Sequence, residues 1–98
     1  MAGIAASKVA EKLYSVSKNR QVMCVTHLAQ IASMADYQYL IEKNVIDGRT
    51  FTNVTPLNSD GRKNEISRLL GGDIFSEKIY DAAEELLNNT ILYKERLD

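Results

Sequence analysis

At 98 residues with 45% hydrophobic side chains, the chain is one small domain or a piece of a larger one, with a core but limited burial. Its formal net charge of −1 excludes an overall basic field for nucleic acid or an anionic membrane. A single cysteine, Cys24, excludes an internal disulfide framework, and its apolar surroundings predict a buried thiol in a reducing compartment. No apolar stretch reaches the ~18–20 residues of a membrane span, and the N-terminus lacks the layout of a signal peptide, so the chain reads as cytoplasmic.

From Ile4 to Lys18, Val9, Leu13 and Val16 recur at helical spacing between Lys8, Glu11 and Lys12, predicting an amphipathic helix. Asn19-Arg20 breaks it. The unbroken apolar run Val22-Met23-Cys24-Val25 within residues 21–26 predicts a short strand covered on both faces, as in a parallel sheet. Leu28, Ile31, Ala32 and Ala35 then resume helical spacing, giving a helix that starts at or just after His27 and ends at Asp36. Residues 37–45 are rich in aromatic and branched side chains and predict a strand with Tyr37 and Tyr39 on one face. Asp47-Gly48 predicts a two-residue hairpin turn, residues 50–55 the returning strand, and Pro56 its end. Asn58, Ser59 and Asp60 offer N-cap oxygens to a helix carrying Ile66, Leu69 and Leu70, which Gly71-Gly72 stops. A last helix, capped by Ser76, carries Ile79, Ala83, Leu86 and Leu87, with Asn88-Asn89 weakening it. The fold class is α/β, in the order helix, strand, helix, hairpin, helix, helix, with an incomplete sheet. A buried strand without neighbours predicts a fragment whose missing strands lie upstream.

The candidate site is the end of the first strand, where Thr26 and the sole histidine, His27, stand beyond the apolar run. Open α/β sheets present ligand-binding groups at that place. His27 can donate to a phosphate oxygen or orient a water, or it can merely cap the following helix. Gln30, three residues on, adds a polar group that a helix would bring to the same face. Cys24 and His27 are two ligands where zinc needs three or four, so no metal site is predicted. Residues 1–98 contain no Walker A pattern and no dinucleotide fingerprint, and a helix C-cap explains Leu69-Leu70-Gly71-Gly72. The acidic pair Glu84-Glu85, with Lys78 and Lys94 on the same helix, reads as a solvated face. The scattered tyrosines lack the basic groove of a base-stacking platform.

The run Val25-Thr26-His27-Leu28-Ala29-Gln30-Ile31-Ala32 resembles the switch-histidine segment of the RecN family. These are bacterial double-strand-break repair ATPases related to the structural-maintenance-of-chromosomes proteins. Further stretches resemble that family in the same order: residues 3–7, 9–13, 40–43, Gly48-Arg49-Thr50 and 65–72. Ala29 is a departure, since the family usually has proline there. Another is Met1-Ala2, where the family has the acidic Walker B strand and its loop.

The resemblance implies an SMC-like, ATP-binding-cassette-type P-loop NTPase head, of which residues 1–98 are the C-terminal segment without Walker A, signature or Walker B motifs. It implies that His27 is the switch histidine sensing the ATP γ-phosphate, with Thr26 and Gln30 as neighbouring contacts. ATP and Mg²⁺ belong to the parent protein, and none is expected for the segment alone, which should be inactive as an ATPase. The implied partners are the missing N-terminal lobe of the same head, a second head in an ATP-dependent dimer, and DNA reached through the parent near the nucleoid. Self-association through an uncovered sheet edge is also expected. The competing reading is a stand-alone interaction module in which His27 is structural.

Overall fold

The computed structural model describes residues 3–72, 74 and 76–97. It contains helix α1 (Gly3–Ser17), short helix α2 (Ala29–Met34), strands β1 (Tyr39–Ile46) and β2 (Arg49–Pro56), and helices α3 (Ser59–Gly71) and α4 (Glu77–Leu97). Among the described residues the fold is thus α/β, with four helices and one two-stranded antiparallel sheet.

Local signals account for most boundaries. Asn58 caps α3 by accepting from the Gly61 N–H at 2.8 Å, as expected of an N-cap amide oxygen. Gly72 ends the helix with φ 75° while its N–H donates to Arg68 O, a backbone conformation that favours glycine. The turn residues Asp47 and Gly48 have φ 52° and 75°, the paired positive values of a type I′ hairpin. The strands begin and end at slightly different places from those expected, and Tyr37 lies in a bend outside β1. Asn88 and Asn89 sit exposed on α4 without ending it. Leu87 and Thr90 are buried on either side of them, and Thr90 Oγ1 donates to Leu87 O at 2.7 Å.

The expected strand over residues 21–26 is not there. That segment has no regular secondary structure and no strand pairing, and Met23 and Val25 are 88% and 84% exposed. Cys24, expected in the core, is exposed as well. An isolated strand leaves its backbone N–H and C=O groups unpaired, and the hairpin, pairing only with itself, provides no neighbour. The same fact removes the parallel sheet from the described residues.

The core is small. Ala29, Ile66, Ala83 and Leu87 form it, with Ala32, Leu69 and Leu86 packed around them. Helix α2 therefore packs against both α3 and α4, which also pack on each other, and α1 packs against α2. A second contact group joins three parts of the chain. Tyr14 of α1 meets Tyr93 edge-on with centroids 6.3 Å apart, Lys94 Nζ lies 5.1 Å from the Tyr14 ring, and Lys94 pairs with Asp36 at 2.8 Å. Lys63 and Glu84 tie α3 to α4 at 3.2 Å. The Glu84 hydrogen bond and charge raise the Lys63 pKa, so the lysine's share of this contact is present through the neutral range and fades as pH rises through the raised value. Glu84 and Lys94 are therefore long-range partners rather than members of a merely solvated face.

Much apolar surface stays open. On β1 and β2, only Leu40 is even half-buried. The accessible surface is 7383 Å², whereas a free-standing protein of 11.0 kDa exposes about 5,600 Å². The radius of gyration is 14.6 Å, against about 12.6 Å for a compact domain of this length.

Candidate functional site

Thr26, His27 and Gln30 flank the start of α2, and the structure separates their roles. Thr26 Oγ1 accepts from the Leu28 N–H at 3.0 Å, a local turn that fixes the chain reversal at His27. Leu28, with φ −98° and ψ 121°, is the N-cap residue of α2, and no side chain caps it. Its carbonyl accepts from Ile31 and Ala32 at 3.1 and 3.0 Å. The helix thus begins two residues beyond His27, and the capping role considered for His27 is not the one it has. Its imidazole is exposed and makes no hydrogen bond or ion pair with the described residues.

Gln30 is half-buried inside α2. Because His27 precedes the helix, the two do not share a helical face. A side chain added at Gly3 would meet Gln30 Nε2 at 3.7 Å, so the amide lies against the start of α1. Ala29 is the first helical residue of α2 and is buried. Proline is favoured at that position because its missing N–H has no intrahelical role there.

The residue that sequence reasoning missed is Arg62 of α3. Its Nη2 donates to the carbonyls of Ala32, Ser33 and Ala35 at 3.4, 3.2 and 3.0 Å, closing the C-terminal end of α2. Its Nε donates to Gln38 Oε1 at 3.1 Å, and Gln38 O accepts from Leu57 N at the base of the hairpin. Desolvation lowers the guanidinium pKa from its ordinary value, partly offset by Asp36. The cation stays charged and meets the negative end of a helix. One side chain thereby fixes both the helix behind His27 and the foot of the hairpin. Replacing Arg62 with alanine should cost about 2–3 kcal/mol by urea unfolding, and lysine should restore only part, since a single ammonium lacks the planar fork.

Among the described residues, no three His, Cys, Asp or Glu side chains come together to hold a metal ion. No described helix is long and apolar enough to cross a membrane. A shallow depression lined by Asn89, Leu92, Glu95 and Arg96 lies on α4 and shares no residue with the start of α2.

No family model matches the chain. It is similar to proteins named DNA repair protein RecN from several bacteria. The relative from Deinococcus radiodurans is 49% identical over 85 residues, which is 87% of this chain and 15% of the relative. That from Bacillus subtilis is 41% identical over 87 residues, 89% of this chain and 15% of the relative. That from Haemophilus influenzae is 38% identical over 88 residues, 90% of this chain and 16% of the relative. The chain thus spans only about one-sixth of the length of the relatives it matches. Over nearly nine-tenths of its own length it is a RecN-like sequence.

Proposed function

We propose that the chain is the C-terminal part of a RecN-like, SMC-type ATPase head, and that His27 contacts the γ-phosphate of ATP bound by that head. The parent would act in repair and recombination of broken DNA. The reading is supported by similarity to RecN proteins along nearly the whole chain, combined with an exposed imidazole that has no partner among the described residues. Thr26 holds the turn beneath His27 and is a neighbouring contact. Gln30 lies against the start of α1 and is a more remote one.

The division of labour follows from phosphoryl-transfer chemistry. Bound ATP and Mg²⁺ supply the reacting phosphate and neutralise its developing charge. The P-loop lysine and the metal ligands belong to the remainder of the head. This chain contributes a single donor, which in isolation does nothing measurable. The exposed, unpaired segment at residues 21–26 is the surface that meets the missing lobe. Once covered there by neighbouring strands, Val22 to Val25 would have the two-sided burial that their sequence predicts. The second head and DNA are reached through the rest of the parent.

Titration calorimetry tests this division. The isolated chain should give no binding heat with MgATP, whereas the same residues joined to the preceding head sequence should bind it. Appreciable ATP affinity of the isolated chain would contradict the reading. The open apolar surface also suits a stand-alone interaction module. For that reading, the joined protein should show no dependence of ATP turnover on His27.

A further inference from the structure

The hairpin carries a strand edge whose hydrogen-bonding groups can be assigned one by one. In a hairpin with a two-residue turn, the pair flanking the turn exchanges both backbone bonds, and bonded and non-bonded pairs alternate from there. Counting from Ile46↔Arg49, the β2 residues bonded to β1 are Arg49, Phe51, Asn53 and Thr55. The bond from Leu57 N–H to Gln38 O at 2.9 Å continues the same alternation. Thr50, Thr52 and Val54 therefore turn their N–H and C=O groups outward, where the two-stranded sheet has no further strand among the described residues. Pro56, without an N–H, falls at the next outward position, which only a free edge tolerates.

Between Arg49 and Pro56, which stand at its two ends, this edge lacks the usual protection. Residues 50–55 carry no charge and are all exposed, whereas the opposite strand holds Glu42 and Lys43 midway along its length. Edge charges of that kind deter strand addition, and an uncharged, threonine-rich edge invites it.

We propose that two copies of this chain join through their β2 edges, antiparallel about a two-fold axis at Thr52, to form the sheet β1-β2-β2-β1. In this register Thr50 bonds to Val54 of the second copy, Thr52 to its own counterpart, and Val54 to Thr50. Phe51 stands opposite Asn53, and Arg49 opposite Thr55, so no like charges meet. Thr–Thr and Thr–Val neighbours are favourable cross-strand pairs. The strand is thus its own complement, which points to a second copy rather than an unrelated strand, and a two-fold contact of this kind closes on itself.

An isolated two-stranded ribbon is marginal in water, and added strands relieve that. The chain exposes 7383 Å², about 1,800 Å² more than its mass requires, and the open hairpin contributes to that excess alongside residues 21–26. Joining the edges also merges the apolar faces bearing Tyr39, Ile41, Val45 and Val54 into one surface across the four strands.

Sedimentation velocity of the chain tests the proposal, in reducing buffer because Cys24 is exposed. The expected result is a species of twice the monomer mass. Thr52→Lys sets two ammonium groups against each other at the axis and should weaken association at least about tenfold, while Thr52→Val retains it. Amide exchange gives a readout independent of any variant: Thr50, Thr52 and Val54 should become more protected as the wild-type concentration rises. A monomer throughout the concentration range, a Thr52→Lys chain that associates as wild type does, or amide protection at these three residues independent of concentration would each overturn the proposal. It stands apart from the nucleotide reading of His27, and neither result bears on the other.

Discussion

Replacing Ile66 with alanine is expected to abolish the cooperative unfolding transition of the chain. Ile66 is fully buried, and of its three core companions two are alanines, Ala29 and Ala83, with Leu87 the third. Truncating a buried isoleucine costs about 2–5 kcal/mol, through lost transfer free energy and the cavity left behind. At the low end of the usual range per residue, which so small a core implies, the total stability of the chain is about 5 kcal/mol. The substitution therefore removes most of what holds α2, α3 and α4 together. Ile66→Val should cost about 0.5–1.5 kcal/mol and keep a visible transition. Thermal melts followed by circular dichroism separate these outcomes. A cooperative Ile66→Ala melt near the wild-type midpoint would place the core elsewhere.

The sequence made the helices and the hairpin legible because their signals are local. Val9, Leu13 and Val16 mark α1 by spacing, Asp47-Gly48 marks the turn, and Asn58 and Gly72 mark the ends of α3. Residues 21–26 were misread because an apolar run reports what would cover a strand, not whether the chain provides the cover. Val25 at 84% exposure is the physical form of that gap. Leu70 was expected among the apolar positions of its helix but is 40% exposed, whereas Ile66 on the same helix is buried.

Arg62 was illegible for a different reason. Its acceptors at Ala32, Ser33 and Ala35 lie about thirty residues back along the chain, and nothing in its local sequence distinguishes it from a solvated arginine. The pairing of Lys94 with Asp36, 58 positions apart, escaped notice likewise. The candidate site was only partly readable. Thr26 and His27 stand at a chain reversal before a helix, as expected, but the strand that should precede them is unpaired and Gln30 turns toward α1.

Substituting His27 should affect catalysis by the complete head and leave folding alone. The side chain is exposed and bonds to none of the described residues, so its removal takes no contact from the core. In the engaged head, a donor aimed at the γ-phosphate gains strength as charge develops there. Its loss should therefore fall on kcat more than on ATP affinity. Removing one such donor typically costs about 10²–10³-fold in kcat. Arg62→Lys should produce a smaller fall in turnover by loosening α2 behind the histidine, and it should lower stability as well. His27→Ala should not.

The most direct measurement is steady-state ATP turnover of these residues joined to their preceding head sequence, comparing wild type with His27→Ala at matched folding stability. The γ-phosphate role predicts a fall of about 10²–10³-fold in kcat with little change in ATP affinity. Unchanged turnover in His27→Ala would contradict it.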